Sequence, residues 1–315
     1  MGERSKSTQD KIYYMKKIRF LLEYIILLSM GVIIRLLPRK AVLHLGARVG
    51  DFIFYCVPVR KKITLNQLRA AFPNKSEKEI HSICRSNYQN LGMNSLEHLH
   101  IPALSKDDLI KIVPLENEDI MQRAFARNKG VIFVGGHFGN WEYLGGAVSS
   151  RGYPVSYIVA DIANPYIDAM VNKHRLLSGS GVITKGMSVR GILSALKKNE
   201  GIAMLMDQDS GKNGIFIDFF DKPCSTPKGP ALFALKTGAA LVFVAAVRQK
   251  DGTIKGVFED IELDYSKEPT DENIQDIMTR CTQKLESYIR KYPGQWFWMH
   301  RRWKTTPEMA ADTED

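Results

Sequence analysis

The sequence predicts an α/β protein in which a layered β-sheet is flanked by helices and preceded by a long helical region. In the second half of the chain, apolar segments of strand length alternate with segments of helical period, which is typical of layered α/β domains. The predicted strands are residues 155–160, 181–184, 202–206 and 241–247, and the predicted helices between them are 165–177, 189–198 and 227–237. Residues 39–100, in contrast, show only helical periodicity.

The central element of this pattern is the stretch 130–146, which reads GVIFVGGHFGNWEYLGG. Its β-branched run at 131–134 predicts a buried strand, and Gly135 and Gly136 allow the backbone to turn sharply before His137. Asn140 is a good N-cap for a helix that follows. A strand, a turn and a helix in this order place reactive side chains at the carboxyl end of a sheet.

His137 and Glu142 are candidates for a catalytic pair. With His137 in the turn and Glu142 in the first helical turn, the carboxylate could hold one ring nitrogen as N–H and leave the other free to take a proton from a hydroxyl. The alternative is a histidine that ends a strand and a glutamate on a solvated helix. The pair alone favours this alternative, because short motifs recur by chance.

Other blocks change that balance, because together they resemble the late acyltransferases of lipid A biosynthesis, the lauroyl and myristoyl transferases of the lysophospholipid acyltransferase superfamily. The resemblance extends from the N-terminal apolar helix to Lys304. It rests on the box from His137 to Glu142, on Asn164-Pro165 with Arg175, on Asp207-Gln208-Asp209, and on QWFWMHRRWK at 295–304.

The resemblance implies a glycerol-3-phosphate-acyltransferase-like catalytic domain and transfer of an acyl chain from a thioester of acyl carrier protein or coenzyme A to a hydroxyl of a lipid A precursor. His137 would be the general base and Glu142 would orient it. Backbone N–H groups of the turn from Gly136 to Trp141, at the start of the following helix, are candidates to stabilise the oxyanion. Arg175, whose guanidinium offers forked donors for a phosphate, is assigned to substrate binding. The same assignment is made for Asn140, Asp207, Gln208 and Asp209.

Several alternatives remain open. The same chemistry could act on another glycolipid, an ornithine-type lipid or a lysophospholipid, or the chain could be an inactive membrane-binding protein. A serine hydrolase would need a nucleophile elbow, and Gly179-Ser180-Gly181 has the wrong spacing for one.

The composition indicates an anionic partner and no cofactor. The formal charge of +10 suits membrane phosphates, an acidic carrier protein or nucleic acid. The four cysteines are scattered without the spacing of a zinc or redox motif, so no metal is expected. No glycine pattern fits a nucleotide site.

The chain divides into five predicted segments: a polar tail at 1–16, a membrane helix at 17–38, a helical membrane-proximal segment at 39–112, the catalytic domain at 113–304 and a polar tail at 305–315. The apolar run at 18–37 is long enough to span a bilayer, but Arg19, Glu23 and Arg35 interrupt it. It could span the membrane, lie in its interface or be a buried core helix. The expected location is the inner membrane, with the catalytic domain on the cytoplasmic face.

Three smaller features of the sequence also carry predictions. Ser76 and Glu79 form a predicted capping box, and His81, His98 and His100 show no carboxylate or metal-ligand pattern, so surface or core roles are the default. The aromatic stretch 214–220 could wall an acyl pocket or be a core strand. The tryptophans and cations of 295–304 suit a lipid headgroup interface, or stacking on single-stranded nucleic acid, which no nucleic-acid-binding signature supports.

Overall fold

The alternating half of the chain folds into a seven-stranded mixed sheet, as the computed structural model shows for residues 2–57, 59–184 and 188–311. The strands of this sheet are β1 (Leu115–Glu116), β2 (Val131–Gly135), β3 (Val155–Val159), β4 (Gly181–Thr184), β5 (Gly201–Leu205), β8 (Ala240–Arg248) and β9 (Ile254–Asp260), and a separate hairpin comprises β6 (Ile215–Asp218) and β7 (Pro223–Thr226). Their spatial order is β1-β9-β8-β2-β5-β3-β4, with β8 and β9 antiparallel and the other pairs parallel. The α/β prediction is confirmed.

Helices cover both faces of the sheet and form the whole N-terminal region. They are α1 (Gly2–Arg35), α2 (Arg39–Cys56), α3 (Lys61–Ala71), α4 (Glu77–His100), α5 (Lys106–Ile112), α6 (Glu118–Ala126), α7 (Trp141–Ser150), α8 (Pro165–Leu177), α9 (Ser188–Lys197), α10 (Gly229–Thr237), α11 (Asp271–Lys291) and α12 (Pro307–Ala311). Helix α4 begins at the predicted capping box, in which the Ser76 hydroxyl accepts from the Glu79 N–H.

Helix α1 differs from its prediction at its start and is attached to the catalytic half along its second part. The helix begins at Gly2, within the segment predicted as a polar tail. Asn164, the N-cap of α8, donates from Nδ2 to the Phe20 carbonyl oxygen at 2.9 Å and to Glu23 Oε2 at 3.0 Å. Of the helices in the described ranges, none by itself has the length and apolarity to cross a membrane, so the predicted membrane helix is unconfirmed.

The outer face of α1 and α2 is apolar nonetheless. Its exposed large side chains include Ile18, Leu21, Leu22, Ile25, Ile26, Val32 and Ile33 on α1, Leu36 directly after that helix, and Leu45, Phe52 and Tyr55 on α2. The most exposed of them, Leu36, leaves 82% of its surface accessible. Contiguous exposed apolar surface of this kind marks an interaction face.

The C-terminal segment, residues 293–305, directs its largest side chains into the molecule. Trp296 is 1% exposed, Trp298 0% and Arg302 1%. Arg302 donates to the Ser225 carbonyl oxygen at 2.6 Å and to Thr226 Oγ1 at 2.5 Å, so its charge is satisfied by the hairpin. The predicted contact with lipid headgroups is therefore wrong for these three side chains, whereas Arg301 and Lys304 are exposed.

The structure supports one of two open alternatives and corrects one further expectation. Ile215, Ile217, Phe219 and Phe220 of the 214–220 stretch are buried in the main core, which supports the core-strand alternative. The predicted tail 305–315 begins with Thr305 bound to the catalytic domain and continues as α12, while residues 312–315 lie outside the described residues.

Candidate active site

The turn after β2 brings His137 to the carboxyl end of the sheet, and its shape depends on Gly139. Gly139 has φ +57°, and a Cβ there would lie 1.5 Å from the Ala246 carbonyl oxygen. The sequence pointed to Gly135 and Gly136 as the turn-forming glycines, but neither has a positive φ. Gly136 is needed for close approach, because a Cβ there would lie 3.0 Å from Asp207 Oδ2.

A Gly139→Ala substitution is expected to displace the turn and unfold the site. The added methyl meets backbone and not a movable side chain, so its cost should exceed the ~1 kcal/mol of an ordinary positive-φ glycine. Gly152→Ala is the matched control, since Gly152 has φ +93° and open space around its Cβ position. Thermal melts of the two variants test this expectation, and equal losses of stability would contradict it.

His137 is held by Asp207, which follows the neighbouring strand. Strands β2 and β5 are parallel with Gly135 opposite Leu205, so His137 and Asp207 each stand two positions beyond a paired strand end. Asp207 Oδ1 lies 2.8 Å from His137 Nδ1, and Oδ2 accepts from the His137 backbone N–H at 2.7 Å. The carboxylate therefore fixes both the ring and its backbone, and leaves Nε2 as the nitrogen for chemistry.

Trp296 supplies a third hydrogen bond to the same carboxylate. Its indole Nε1–H donates to Asp207 Oδ2 at 2.7 Å. A buried carboxylate that accepts three hydrogen bonds is fixed in orientation and favoured in its charged form. The sequence placed Trp296 at a lipid interface and thus missed this role.

Their surroundings shift the pKa values of both His137 and Asp207. Burial would lower the pKa of His137, but the charge and hydrogen bond of Asp207, with the charge of Glu142, outweigh it and raise that pKa above its usual value. Burial would raise the pKa of Asp207, but His137 and Trp296 hold it below its usual value. Asp207 is therefore ionised at neutral pH, and the raised pKa of His137 makes its imidazole a stronger base.

A Trp296→Phe substitution is expected to slow the enzyme, because Asp207 loses one of the bonds that orient it. A hydrogen bond to a charged group contributes about 1.5–3 kcal/mol, which bounds the loss of stability. Trp298→Phe is the matched control: its indole donates to the Pro293 carbonyl oxygen at 2.7 Å and not to Asp207. We expect kcat to fall with Trp296→Phe and to change little with Trp298→Phe. A similar kcat for both variants would rule out the positioning role of Trp296.

Glu142 is paired with Arg175, which corrects the predicted partner of the histidine. Arg175 donates from Nη2 to Glu142 Oε1 at 2.6 Å and from Nε to Oε2 at 3.0 Å. This forked pair uses both carboxylate oxygens, so the hydrogen bond to the imidazole comes from Asp207 instead. Burial would raise the pKa of Glu142, but Arg175 keeps it below its usual value. Arg175 also donates from Nη1 to Asn172 Oδ1, so the side of its guanidinium fork that was expected to bind a phosphate is occupied by Glu142, and three of its five N–H donors are used within the protein.

Of the other predicted substrate-binding residues, Asn140 and Asp209 are bonded within the protein, and Gln208 lies on a cavity wall. Asn140 caps α7 by accepting from the Tyr143 N–H at 3.0 Å, and it donates to Glu97 at 2.7 Å, so both ends of its amide are used within the protein. Asp209 accepts from the backbone N–H and the hydroxyl of Thr305 and thereby anchors the C-terminal segment. Gln208 lies beside His137 on the wall of a cavity.

A row of polar side chains on one face of α4 supports the site, although none of them was predicted to be functional. Its members, spaced at three and four residues on one helical face, are Asn87, Asn90, Asn94 and Glu97. The asparagines donate to backbone carbonyl oxygens of Trp296, Gln295 and Gly139, respectively, so they fix the C-terminal segment and the turn. Glu97 is 0% exposed and pairs with Arg39 and Arg248. The spacing of these polar residues is the sequence pattern from which their shared helical face could have been predicted.

His137 lies on the wall of one cavity and beside two wall residues of a second. The apolar cavity, of about 610 Å³, lies between α1, α2, α4 and α8 and reaches Trp141, Glu142 and Phe297. The histidine cavity, of about 530 Å³, is lined by His137, Gln208, Asp209 and the ends of β3 and β5. Trp141 and Phe297, on the wall of the first cavity, have ring centroids 5.0 and 6.1 Å from that of His137. The imidazole thus stands where two substrate chains could approach one another.

Comparison with known proteins relates this chain to bacterial acyltransferases. Residues 13–305 match the model of the family described as bacterial lipid A biosynthesis acyltransferase. The chain is 30% identical over 273 residues to a lipid A biosynthesis palmitoleoyltransferase of Escherichia coli K12, covering 86% of this chain and 87% of that one. It is 27% identical over 274 residues to a lipid A biosynthesis lauroyltransferase of the same organism, covering 86% and 88%.

A more distant relative has a different named activity. A phosphatidylinositol mannoside acyltransferase of Mycolicibacterium smegmatis is 23% identical over 211 residues, which cover 66% of this chain and 67% of that one. The family model and the coverage of the first two relatives decide the assignment. This chain belongs to the bacterial lipid A biosynthesis acyltransferase family and is an acyltransferase.

Proposed function

We propose that the protein transfers a fatty acyl chain from a thioester of acyl carrier protein or coenzyme A to a hydroxyl of a lipid A precursor. The observation that carries this proposal is the His137–Asp207 pair, with His137 on the wall of one cavity and beside wall residues of a second. Acyl transfer between two lipids needs a base for one hydroxyl and room for two chains, and both are present here.

In the proposed mechanism, His137 Nε2 accepts the proton of the acceptor hydroxyl as its oxygen attacks the thioester carbonyl carbon. Asp207 holds Nδ1 as N–H and stabilises the imidazolium that forms. The tetrahedral intermediate then collapses with loss of the thiolate, which takes a proton from the imidazolium. No acyl-enzyme is required.

Developing charge on the thioester oxygen would be stabilised at the start of α7. The N–H groups of His137, Phe138 and Gly139 already donate to Asp207, Gly136 and Gln295, respectively. The N–H groups of Trp141 and Glu142 stand in the first turn of the helix, where N–H groups have no intrahelical acceptor and the helix dipole is positive. They are the proposed oxyanion donors.

Glu142 and Arg175 would act on this chemistry through their charges. The carboxylate raises the pKa of His137 and the guanidinium lowers it, so the pair tunes the base without touching its ring. The catalytic contribution of Glu142 in this proposal is therefore electrostatic. Arg175 keeps Glu142 charged, and Gln208 beside His137 remains a proposed contact for the substrate.

Membrane association is part of the proposal. The exposed apolar face of α1 and α2 is continuous with the apolar cavity, since Leu27 and Met30 of α1 and Val49 and Ile53 of α2 line that cavity. The exposed Lys16 and Lys17 precede the apolar run and the exposed Lys40 follows it, which suits anionic headgroups. An inner-membrane location with the site at the cytoplasmic face follows from this proposal and from the expected donor.

A second acceptor class has some support. The phosphatidylinositol mannoside acyltransferase relative is named for a different glycolipid, and its similarity covers two thirds of this chain. Because the same base and cavities would serve either acceptor, another glycolipid acceptor is the alternative proposal.

The decisive experiment measures acyl transfer by the full chain in detergent, with acyl carrier protein and coenzyme A thioesters of one fatty acid. Lipid A precursor and a total bacterial lipid extract are offered as separate acceptors. His137→Ala should abolish transfer, while the control His81→Ala should not, because His81 is an exposed histidine paired with Glu77 on α4. Transfer to the extract but not to the precursor would overturn the acceptor assignment. Absence of transfer with folded protein would overturn the proposed chemistry.

A further inference from the structure

Three exposed cations near the C-terminal segment are not used by the proposed mechanism. They are Arg60, the N-cap residue of α3, together with Arg301 and Lys304 of the C-terminal segment itself. Within the described ranges, none of the three forms an ion pair with a carboxylate. Exposed cations of this kind are free to attract an anionic partner.

The three cations belong to one surface, which we call the basic patch. Arg60 donates from Nη1 to the Met299 carbonyl oxygen at 3.1 Å, so the start of α3 is joined to the C-terminal segment. Arg301 and Lys304 follow Met299 by two and five positions along the chain. The hydrogen bond therefore brings together cations that are more than two hundred residues apart in the sequence.

The acidic side chains nearest to the C-terminal segment do not neutralise the basic patch. Asp209 accepts from the backbone N–H and the hydroxyl of Thr305 and is engaged there. Glu308 is exposed four positions beyond Lys304, where it supplies one negative charge against three positive ones. The patch therefore keeps a net positive charge.

The basic patch adjoins wall residues of both cavities. Val59, which directly precedes Arg60, lines the apolar cavity, and so does Met299. The C-terminal segment also donates to Gln208 and Asp209, which line the histidine cavity. A partner bound to the patch would thus stand next to the catalytic site.

The position of the positive charge favours a donor whose own charge is carried by a protein. No lysine or arginine lines the apolar cavity or the histidine cavity among the described residues, so the free cations lie outside both. A carrier protein separates charge and thioester in the same way, because its acidic surface is distinct from the arm that holds the acyl chain. Exposed ion pairs are individually weak, so a partner must engage several of them at once.

The surroundings of the basic patch differ from the apolar face of α1 and α2. In the part of the chain that the structure describes, no large apolar side chain is exposed between residues 60 and 161 or between 194 and 308. A helix that lies on a lipid surface inserts apolar side chains into it. A patch that offers charge without such side chains is better suited to an acidic protein than to a membrane.

We infer that the basic patch is the docking surface for an acidic acyl carrier protein. This inference rests on the proposed function, which requires a thioester donor, and it deepens that function by choosing the carrier protein and locating its contact. Arg60, Arg301 and Lys304 bind the protein part of the donor here, and no bond is made or broken at them.

The test measures binding without turnover. A fluorescently labelled dodecanoyl acyl carrier protein, with an amide in place of the thioester, is titrated against the full chain in detergent micelles by fluorescence anisotropy. Transfer from the thioester form of the same carrier is measured in parallel. Binding without transfer would count against the proposed function and leave the docking surface in place, whereas absence of carrier binding by wild type would overturn the inference even if coenzyme A thioesters were used.

The patch variant combines Arg60→Gln, Arg301→Gln and Lys304→Gln. We expect its Kd for the carrier to rise about tenfold at low salt, the combined effect of three exposed ion pairs, and to depend less on salt than that of wild type. The double variant Arg301→Gln with Lys304→Gln keeps the hydrogen bond from Arg60 to Met299. It should melt with wild type and still raise the Kd about threefold to fivefold.

The matched control removes the same number of charges at the opposite end of the sheet. It combines Lys129→Gln, Lys197→Gln and Lys198→Gln, three exposed lysines that shortly precede β2 and β5, whereas His137 follows β2. Its Kd for the carrier should stay within about twofold of wild type, because charges beyond the Debye length are screened.

Other outcomes would overturn the inference. An unchanged Kd in the patch variant would show that the carrier does not contact these cations, and an equal rise in the control would show that only net charge matters. Loss of binding to phosphatidylglycerol vesicles, with the carrier Kd unchanged, would make the patch a membrane contact. Equal weakening of dodecanoyl coenzyme A, measured as a competitor, would assign the patch to phosphate groups and not to a protein.

Discussion

Replacing Asp207 by asparagine is expected to lower kcat by about 10³- to 10⁴-fold, the scale on which serine-protease triads respond to the same change. An asparagine at this position would present its amide N–H₂ to His137 Nδ1, which then must accept. The ring proton would move to Nε2, and the nitrogen that faces the acceptor hydroxyl could no longer act as a base. The expected defect is thus in catalysis and not in substrate binding, so KM should change much less than kcat.

The pH profile gives the same substitution a second signature. The base works only when neutral, so the rate falls as the pH drops below the pKa of His137. Asp207 and Glu142 raise that pKa, so in wild type the acidic limb of kcat/KM should have its midpoint above about 6.5. Removing the charge of Asp207 lowers the pKa of His137, and the limb of the residual activity should move to lower pH.

The paired variant Glu142→Gln with Arg175→Gln is the matched comparison. It removes two opposite charges that act on His137 without removing its hydrogen bond, and it avoids leaving one charge of the ion pair buried alone. We expect kcat to stay within about tenfold of wild type, since a shift of one pKa unit corresponds to a factor of ten. If this variant lost more activity than Asp207→Asn at equal stability, Glu142 and not Asp207 would be the essential carboxylate.

The comparison of Asp207 with Glu142 shows what a single sequence can predict about this site. Strand ends are local features, so the sequence located β2, β5 and the polar residues that follow them. Which strands are neighbours depends on long-range pairing, and that pairing places Asp207 beside His137. The box from His137 to Glu142 and the position of Glu142 in the first helical turn favour Glu142, although the helix directs its side chain towards Arg175.

The sequence also predicted the wrong environment for several polar and aromatic residues that are buried in the structure. The tryptophans and arginines of the C-terminal segment have the composition of a membrane interface, but their backbone polar groups are satisfied by Gln67 and Asn87, which draws the segment into the core. A composition shared by two environments cannot distinguish them. Burial of Arg302 depends on acceptors in the β6–β7 hairpin, about 75 residues earlier in the chain.

Glu97 should be the most sensitive position of the fold outside the reacting groups. Its Oε1 accepts from Arg39 at 2.5 Å and its Oε2 from Arg248 at 2.5 Å and Asn140 at 2.7 Å, all beneath the start of α7. Glu97→Gln leaves two arginines facing a neutral amide in the interior. Breaking a buried ion pair from one side typically costs about 3–5 kcal/mol, so we expect a loss of this size in the free energy of unfolding.

The control for this prediction is an exposed ion pair of similar geometry. Lys255 Nζ lies 2.9 Å from Glu116 Oε2, with 41% and 49% of the two side chains accessible. Glu116→Gln should cost less than about 1 kcal/mol, because water screens the charges and solvates whichever one is left. Chemical denaturation of the two variants would separate the cases, and equal midpoints would mean that the arginines around Glu97 find other partners.

The activity of the Glu97→Gln variant, measured under conditions where it stays folded, tests whether Glu97 also affects the active site. Asn140 connects Glu97 to the first turn of α7, where the proposed oxyanion donors stand. If the network only stabilises the fold, folded Glu97→Gln should have the kcat of wild type. If it also aligns the helix start, kcat should fall while the pH midpoint of His137 stays in place, because Asp207 and its bonds to the imidazole are unchanged.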